Sequence, residues 1–382
     1  MKLPVKLKHI MILTGEPSGD FHASNLVKQI KKTNSNIYFS GIGGNCLKQQ
    51  NVDIFYDIAN LSAMGFVEVL LQLPKINKAF YLFKLKLKTN KPDLIVFVDY
   101  PGFNLKAAAF AKKNYKIKTM YYITPKVWAW NKARLKKIKN NIDFSALIFP
   151  FEENLYKNAG IKSVFVGNPL VEKYPEHLSK PYLRLNQPFK KDTITIGLLP
   201  GSRISEIKKM LDTMIKAALL INEKRKKTCF IISQADSIDF KIIENIVKKN
   251  SNNKLFKIQK GNIKNVLFDS DLVIAASGTV TLETALCCVP TIVVYKMSFV
   301  TYLLAKLLVR IKYVGLANLI VNNEVMPELI QSQASPEKIR DKALDMLDRI
   351  VFFENKLSNI RKLLSKKEAS KNAANIAIDM LR

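Results

Sequence analysis

Short unbroken apolar runs recur along the chain, each followed by a segment long enough for a helix. Examples are 93-DLIVFVD-99 and 271-DLVIAASG-278. A strand with one face in water alternates apolar and polar residues. A continuous run is buried on both faces, which requires a parallel sheet covered by helices on each side. HIMILTG, NIYFSGIG, KTMYYIT, ALIFP and SVFVG extend the pattern through the first half. Between them, 23-ASNLVKQIKK-32 and 104-NLKAAAFAKK-113 carry helical periodicity. The pattern predicts an α/β fold.

The period breaks over 168–192, where Pro169, Pro175, Pro181 and Pro188 interrupt it, and restarts with TITIGLLP, TCFIIS, KLFKIQ, DLVIAASG and VPTIVVY. A chain of 382 residues is too long for one ordinary core. We therefore expect a Rossmann-like domain over 1–170, a linker over 171–192, a second such domain over 193–350 and a basic C-terminal helix over 351–382. Two such domains would create a cleft, and open α/β sheets bind ligands beyond the carboxyl ends of their strands.

Four loops at predicted strand ends carry the candidate chemistry. In 198-LLPGSRISEIKKML-211, Gly201 and Ser202 open a helix and Arg203 adds a planar fork suited to phosphate oxygens. A plain strand–helix turn has the same look, and no Walker loop is present. In 276-ASGTVTLETALCCVP-290, Ser277, Gly278 and Thr279 precede a helix bearing Glu283. They fit a second phosphate, with Glu283 accepting from ribose hydroxyls, or else a capped helix with an acid near its positive end. In 14-TGEPSGD-20 the first strand turns into a helix and gathers Glu16 and Asp20, with His22 just beyond. In 98-VDYPGFN-104, Asp99 ends an apolar strand, either as a general base or as a turn aspartate. The 41-GIGG-44 stretch does not meet the dinucleotide fingerprint.

Charge narrows the partners. Sixty-one Lys and Arg against 31 Asp and Glu give a formal +30, and positions 100–142 hold eleven basic residues and no acid. Such a surface attracts an anionic membrane face or nucleic acid, unless it reflects only a lysine-rich solvated exterior. No nucleic-acid motif accompanies it. The segment 64-MGFVEVLLQLPKINKAFYLFKLKLK-88 mixes apolar residues with lysines, as a helix lying on a bilayer does, or a core helix with a basic rim. The stretch 298–321 is broken by Lys306, Arg310 and Lys312 and does not span a membrane. Trp128 and Trp130, in 121-YYITPKVWAWNKARLKKIK-139, fit either stacking on a sugar or lipid or filling the core. The four cysteines form no CxxC and no ligand set with the three histidines. Neither disulfide nor structural zinc is expected, and a reducing compartment fits.

TGEPSGD, AMGFVEVL, VDYPGFN, TPKVWAW, FPFE, VGNPL, LPGSR, ASGTVTLE and LANLI, in that order, resemble the lipid-A-disaccharide synthase family. The resemblance implies GT-B architecture, two Rossmann-like domains with parallel sheets facing a cleft. It implies inverting transfer of 2,3-diacylglucosamine from UDP-2,3-diacylglucosamine to 2,3-diacylglucosamine 1-phosphate (lipid X). The products are the β-1,6-linked disaccharide 1-phosphate and UDP. No metal and no cofactor is implied. Asp99 matches the base, Glu16 a functional position in the first loop, and Asn318 a position near the donor. Gly201, Ser202, Arg203, Ser277, Gly278, Thr279 and Glu283 would hold the UDP. Acylated substrates imply a cytoplasmic enzyme held peripherally on the anionic inner face of the membrane, with no nucleic acid partner. A homodimer is one open option. Pro17 stands where alanine is common, and Tyr122 where histidine is frequent. The alternative is another GT-B UDP-sugar enzyme, of the UDP-GlcNAc 2-epimerase or peptidoglycan glycosyltransferase type.

Overall fold

The apolar runs pair into two parallel sheets, each in its own compact unit. The structure, a computed structural model, describes residues 7–60, 73–128, 133–181, 193–250, 255–297, 312–365 and 368–382. The AMGFVEVL motif, Trp130, Pro188 and the apolar stretch from 298 to 311 lie outside the described residues. One unit comprises Met1–Pro169 with Ser365–Arg382, the other Leu170–Leu364.

In the first unit, β1 (Lys8–Leu13), β2 (Ile37–Gly43), β3 (Asp53–Asp57), β4 (Leu94–Val98), β5 (Lys118–Tyr122), β6 (Phe144–Leu147) and β7 (Ser163–Phe165) lie in the order β3-β2-β1-β4-β5-β6-β7. In the second, β8 (Ile194–Leu199), β9 (Thr228–Gln234), β10 (Phe256–Lys260), β11 (Leu272–Ala276), β12 (Thr291–Tyr295) and β13 (Glu328–Ile330) lie in the order β10-β9-β8-β11-β12-β13. Every described pairing is parallel. The central strands are the apolar runs: all five residues of β4 have no exposed surface. Each such side chain contributes about 1.5–3 kcal/mol by leaving water.

Strand order reverses between β1 and β4 in one sheet, and between β8 and β11 in the other. Connections leave in opposite directions at those points, so the loops part and open a crevice at the carboxyl ends.

The edge strands β3 and β13 are absent from the sequence reading. Both are short, half-exposed and carry acids, so neither gives an apolar run. The proline-bearing segment after Pro169 also differs from a free linker, because its described part is strapped to the second unit. Tyr174 is fully buried, the Lys180 amide donates to the Cys287 carbonyl at 2.9 Å, and the Arg361 guanidinium donates to the Tyr174 carbonyl at 2.8 Å. The C-terminal region forms two helices rather than one. Ile350–Leu364 belongs to the second unit and Ala369–Leu381 to the first. Ala373, Ala374 and Ala377 share a core with Ala23, Leu26, Val27 and Ile30 of the Pro17–Thr33 helix. Small side chains on that stripe let the two helices approach closely.

Candidate active site

At the first reversal, β1 ends at Leu13 and β4 at Val98, in register one residue apart from their ends (Leu13 opposite Phe97). Their loops touch: a Cβ on Gly15 would lie 2.2 Å from the Tyr100 ring. Glycine is therefore required there by close approach. Glu16 is exposed and precedes the Pro17–Thr33 helix. Asp99 follows β4 with φ 48°, and Tyr100 follows with φ 47°. Two successive left-handed non-glycine residues cost on the order of 1–3 kcal/mol each. Such strain persists only where the surroundings impose it.

Burial pushes the Asp99 carboxyl above the usual carboxylate range, opposed by the Tyr100 N–H and by Lys126. The Tyr100 phenol is also raised, by burial first and then by the Glu16 charge. Asp20 has a different duty. Only 3% exposed, it accepts from the amides of Gly44 at 2.7 Å and Cys46 at 2.8 Å. The Gly44 amide of GIGG and the Cys46 amide beyond it thus serve an internal carboxylate. His22 is half-buried with its ring against Phe21.

At the second reversal, β8 delivers Pro200, Gly201, Ser202 and Arg203 to the 21-residue helix Ile204–Lys224. Gly201 has φ 110°, a conformation that L side chains rarely adopt. The Glu206 carboxylate folds back over this loop. It accepts from the Ser202 amide at 3.2 Å and pairs with Arg203 at 3.3 Å. Glu206 stands where a capping-box glutamate does but reaches the amide one residue before the N-cap Arg203, and it marks the loop as a place where an acceptor oxygen sits comfortably. Arg203 itself is 62% exposed. Beside the loop, Asp236, Ser237, Phe240 and Lys260 border an open depression of about 600 Å³.

β11 delivers Ser277, Gly278 and Thr279 to the Val280–Leu286 helix. Gly278 and Thr279 are exposed, and the Thr279 side chain makes no capping bond. The Ser277 amide donates to the Val294 carbonyl at 3.2 Å. Glu283, which the sequence suggests for ribose, has one oxygen 2.8 Å from Lys173 Nζ on the strap. Together with burial, its charge pushes the neighbouring Tyr174 phenol well up.

Asn318, which the resemblance puts near the donor, is occupied by the protein's own groups. It has no exposed surface, and its side chain is fully engaged. Its amide nitrogen donates to the Met326 carbonyl and to Glu328 Oε1, both at 2.7 Å. Its oxygen accepts from the amides of Val325 at 2.8 Å and Met326 at 2.9 Å. That exhausts a carboxamide's capacity. Glu328 in turn accepts from the amides of Val314 and Gly315, both at 2.8 Å, and the Ser277 hydroxyl donates to the Val314 carbonyl at 3.4 Å. Asn318 therefore shapes the backbone beside Ser277.

The VWAW and FPFE motifs meet at the ends of β5 and β6. The Trp128 indole N–H donates to Glu152 at 3.1 Å, and its ring lies edge-on to Phe151. Glu152 is 1% exposed and also accepts from the Phe149 amide at 3.2 Å; burial pushes its carboxyl up to about 8. Lys173 and Glu328 escape sequence reasoning, while Glu152 closes the FPFE motif and Glu206 follows the helix start at a telling spacing, without either pointing to a role.

The whole chain is similar to known proteins. A family model described as lipid-A-disaccharide synthetase matches residues 10–379. The lipid-A-disaccharide synthase of Syntrophus aciditrophicus is 36% identical over 378 residues, covering 98% of each chain. Lipid-A-disaccharide synthase 1 of Legionella pneumophila (strain Paris) is 40% identical over 326 residues, 84% of this chain and 83% of that one. Among solved structures, the UDP-GlcNAc 2-epimerase of Neisseria meningitidis bound to UDP-GlcNAc aligns with TM-score 0.62 at 13% identity, over 98% of this chain and 99% of that one. Acinetobacter baumannii MurG aligns with TM-score 0.57 at 17% identity, over 98% and 99%. At such identities these two likenesses speak for the fold alone.

Proposed function

From the premise that the chain belongs to the lipid-A-disaccharide synthase family, a family of glycosyltransferases, we propose how its residues divide the reaction. The architecture is GT-B, the donor a UDP-sugar and the acceptor a lipid. The epimerase alternative is set aside, because its likeness is confined to the fold while the family match runs through residues 10–379.

One observation carries the division. Glu16 and Asp99 lie at the strand-order reversal of the first sheet, and Gly201–Arg203 and Ser277–Thr279 at that of the second. The donor is UDP-2,3-diacylglucosamine and the acceptor lipid X. The acceptor's 6-hydroxyl oxygen attacks the anomeric carbon while the bond from that carbon to the UDP oxygen breaks. Asp99 takes the hydroxyl proton. Its raised pKa brings it closer to the working pH than an ordinary carboxylate. Glu16 orients the acceptor. The departing diphosphate gathers charge, which Arg203 and the amides of Ser202 and Thr279 stabilise. Glu283 accepts from the ribose through the oxygen that Lys173 does not hold. Purified protein given the two lipids should form the disaccharide 1-phosphate and UDP in equal amounts. UDP-GlcNAc turned over without the acceptor, or no UDP release from the acylated donor, overturns this reading.

The acylated substrates favour docking at an anionic membrane face, on the cytoplasmic side. No helix among the described residues is long and apolar enough to cross a membrane. On the Leu73–Thr89 helix, Leu73, Tyr81 and Leu85 are 46%, 61% and 44% exposed. They fall on one ridge at multiples of four, with Lys75, Lys78 and Lys88 exposed nearby. Each lysine near an anionic surface contributes about 1 kcal/mol. The protein should sediment with phosphatidylcholine vesicles containing phosphatidylglycerol, less so at high salt, and Tyr81→Asp with Leu85→Asp should release it. Sedimentation unchanged by the double substitution would remove this ridge as the contact.

A further inference from the structure

Asn104 lies in the first turn of the Pro101–Tyr115 helix and has no exposed surface. None of the roles assigned above uses it. Its side-chain nitrogen donates to the Asp99 carbonyl at 2.7 Å and lies 3.3 Å from the carbonyls of both Val98 and Leu13. One amide thus gathers the carbonyls that end β4 and β1, the two strands flanking the reversal. A second donor reaches the same Asp99 carbonyl: the hydroxyl of Tyr121, on β5 and fully buried, at 2.7 Å. The Asp99 amide is held too, donating to the Tyr122 carbonyl at 3.2 Å.

These bonds fall where the backbone is least willing. Asp99 and Tyr100 are both left-handed, with φ 48° and 47°. A relaxed chain would leave that region, and the direction of the Asp99 side chain would change with it. Hydrogen bonds to this one carbonyl from two separate elements resist that relaxation, since freeing it would leave the buried donors Asn104 and Tyr121 unsatisfied. Glu16 is three residues beyond Leu13, so the same amide also fixes where the first loop starts.

We propose that Asn104 is the positioning residue of the reaction. Its amide locks the peptide after β4 in the left-handed conformation, and so aims the Asp99 carboxylate at the acceptor hydroxyl. This rests on Asp99 as the base, so the test must separate the two ideas.

Four proteins decide it: wild type, Asp99→Asn, Asn104→Leu and the double variant. Leucine keeps the branched shape and the number of side-chain heavy atoms, at somewhat greater volume, and removes the donor. Asn104→Leu is expected to lower kcat by about 30-fold or more, with donor KM and UDP affinity within about twofold, because the donor residues lie in the other unit. The double variant should be no slower than Asp99→Asn alone, since residues acting as one unit do not lose independently. Losses that multiply would show Asn104 acting apart from Asp99 and overturn the proposal, as would an Asn104→Leu kcat near wild type. Wild-type activity in Asp99→Asn would instead remove the base itself, a result visible without any Asn104 variant. Should Asn104→Leu lose its cooperative melt or its UDP binding, Asn104→Ser carries the same comparison with a donor too short to reach all three carbonyls.

Discussion

Asp99→Asn is expected to slow transfer by about 10²–10⁴-fold, the span associated with a positioned general base, while UDP affinity stays as in wild type. Asparagine matches the shape and can still hydrogen-bond to the acceptor hydroxyl, but it cannot take the proton. The wild-type profile adds a second signature. Burial holds the Asp99 pKa above the usual carboxylate range, so kcat should fall on the acid side in a window higher than a normal aspartate gives. The residual activity of the variant should lack that limb. Stability carries the opposite sign. A carboxyl whose folded pKa is raised contributes most below its unfolded pKa and loses that contribution as pH rises through the folded value. The charged form that the proposed base needs is thus the form the fold tolerates less. Asp99→Asn should therefore be no less stable than wild type at alkaline pH, and the gap should close in acid. An unchanged acid limb in the variant would assign the titration to another group.

What could be read without coordinates follows from where polar atoms go. β1, β4, β8 and β11 are buried on both faces over nearly all their length, so their sequences are mostly apolar, and the loops that follow them announce themselves by contrast. That is why Asp99 and Arg203 are legible. Partners brought together by tertiary contact leave no such trace. Lys173 and Glu283 meet across 110 positions, and Asn104 reaches Leu13 across 91. No period or spacing encodes either. Asn318 can be read from its motif, but its bonds to Met326 and Glu328 cannot. β3 and β13 were missed because a half-exposed edge admits acids, which erases the apolar run.

Arg203→Ala is expected to cost about 10²–10³-fold in kcat, the range for removing one donor from a developing anion, with little change in melting temperature. The two halves of this expectation have different physical origins. In the free protein Arg203 faces Glu206 at 3.3 Å and is 62% exposed. An exposed pair of this kind contributes about 0–1 kcal/mol, so losing it barely alters the fold. Exchanging Glu206 for a diphosphate is easy for the same reason. With the donor's two phosphates against the loop, as proposed, the guanidinium would meet charge that grows as the sugar–oxygen bond breaks, away from bulk water. There its fork bridges two oxygens where a point charge serves only one. Arg203→Lys should accordingly recover part of the rate and not all of it. Were Arg203 only the residue that leads into the helix, alanine would shift the melt and spare kcat, with lysine no better than alanine. The kinetic effect should also fall mainly on kcat, because the charge is largest in the transition state and smaller in the bound donor. A loss confined to donor KM would make Arg203 a binding residue and leave the departing UDP to the helix amides.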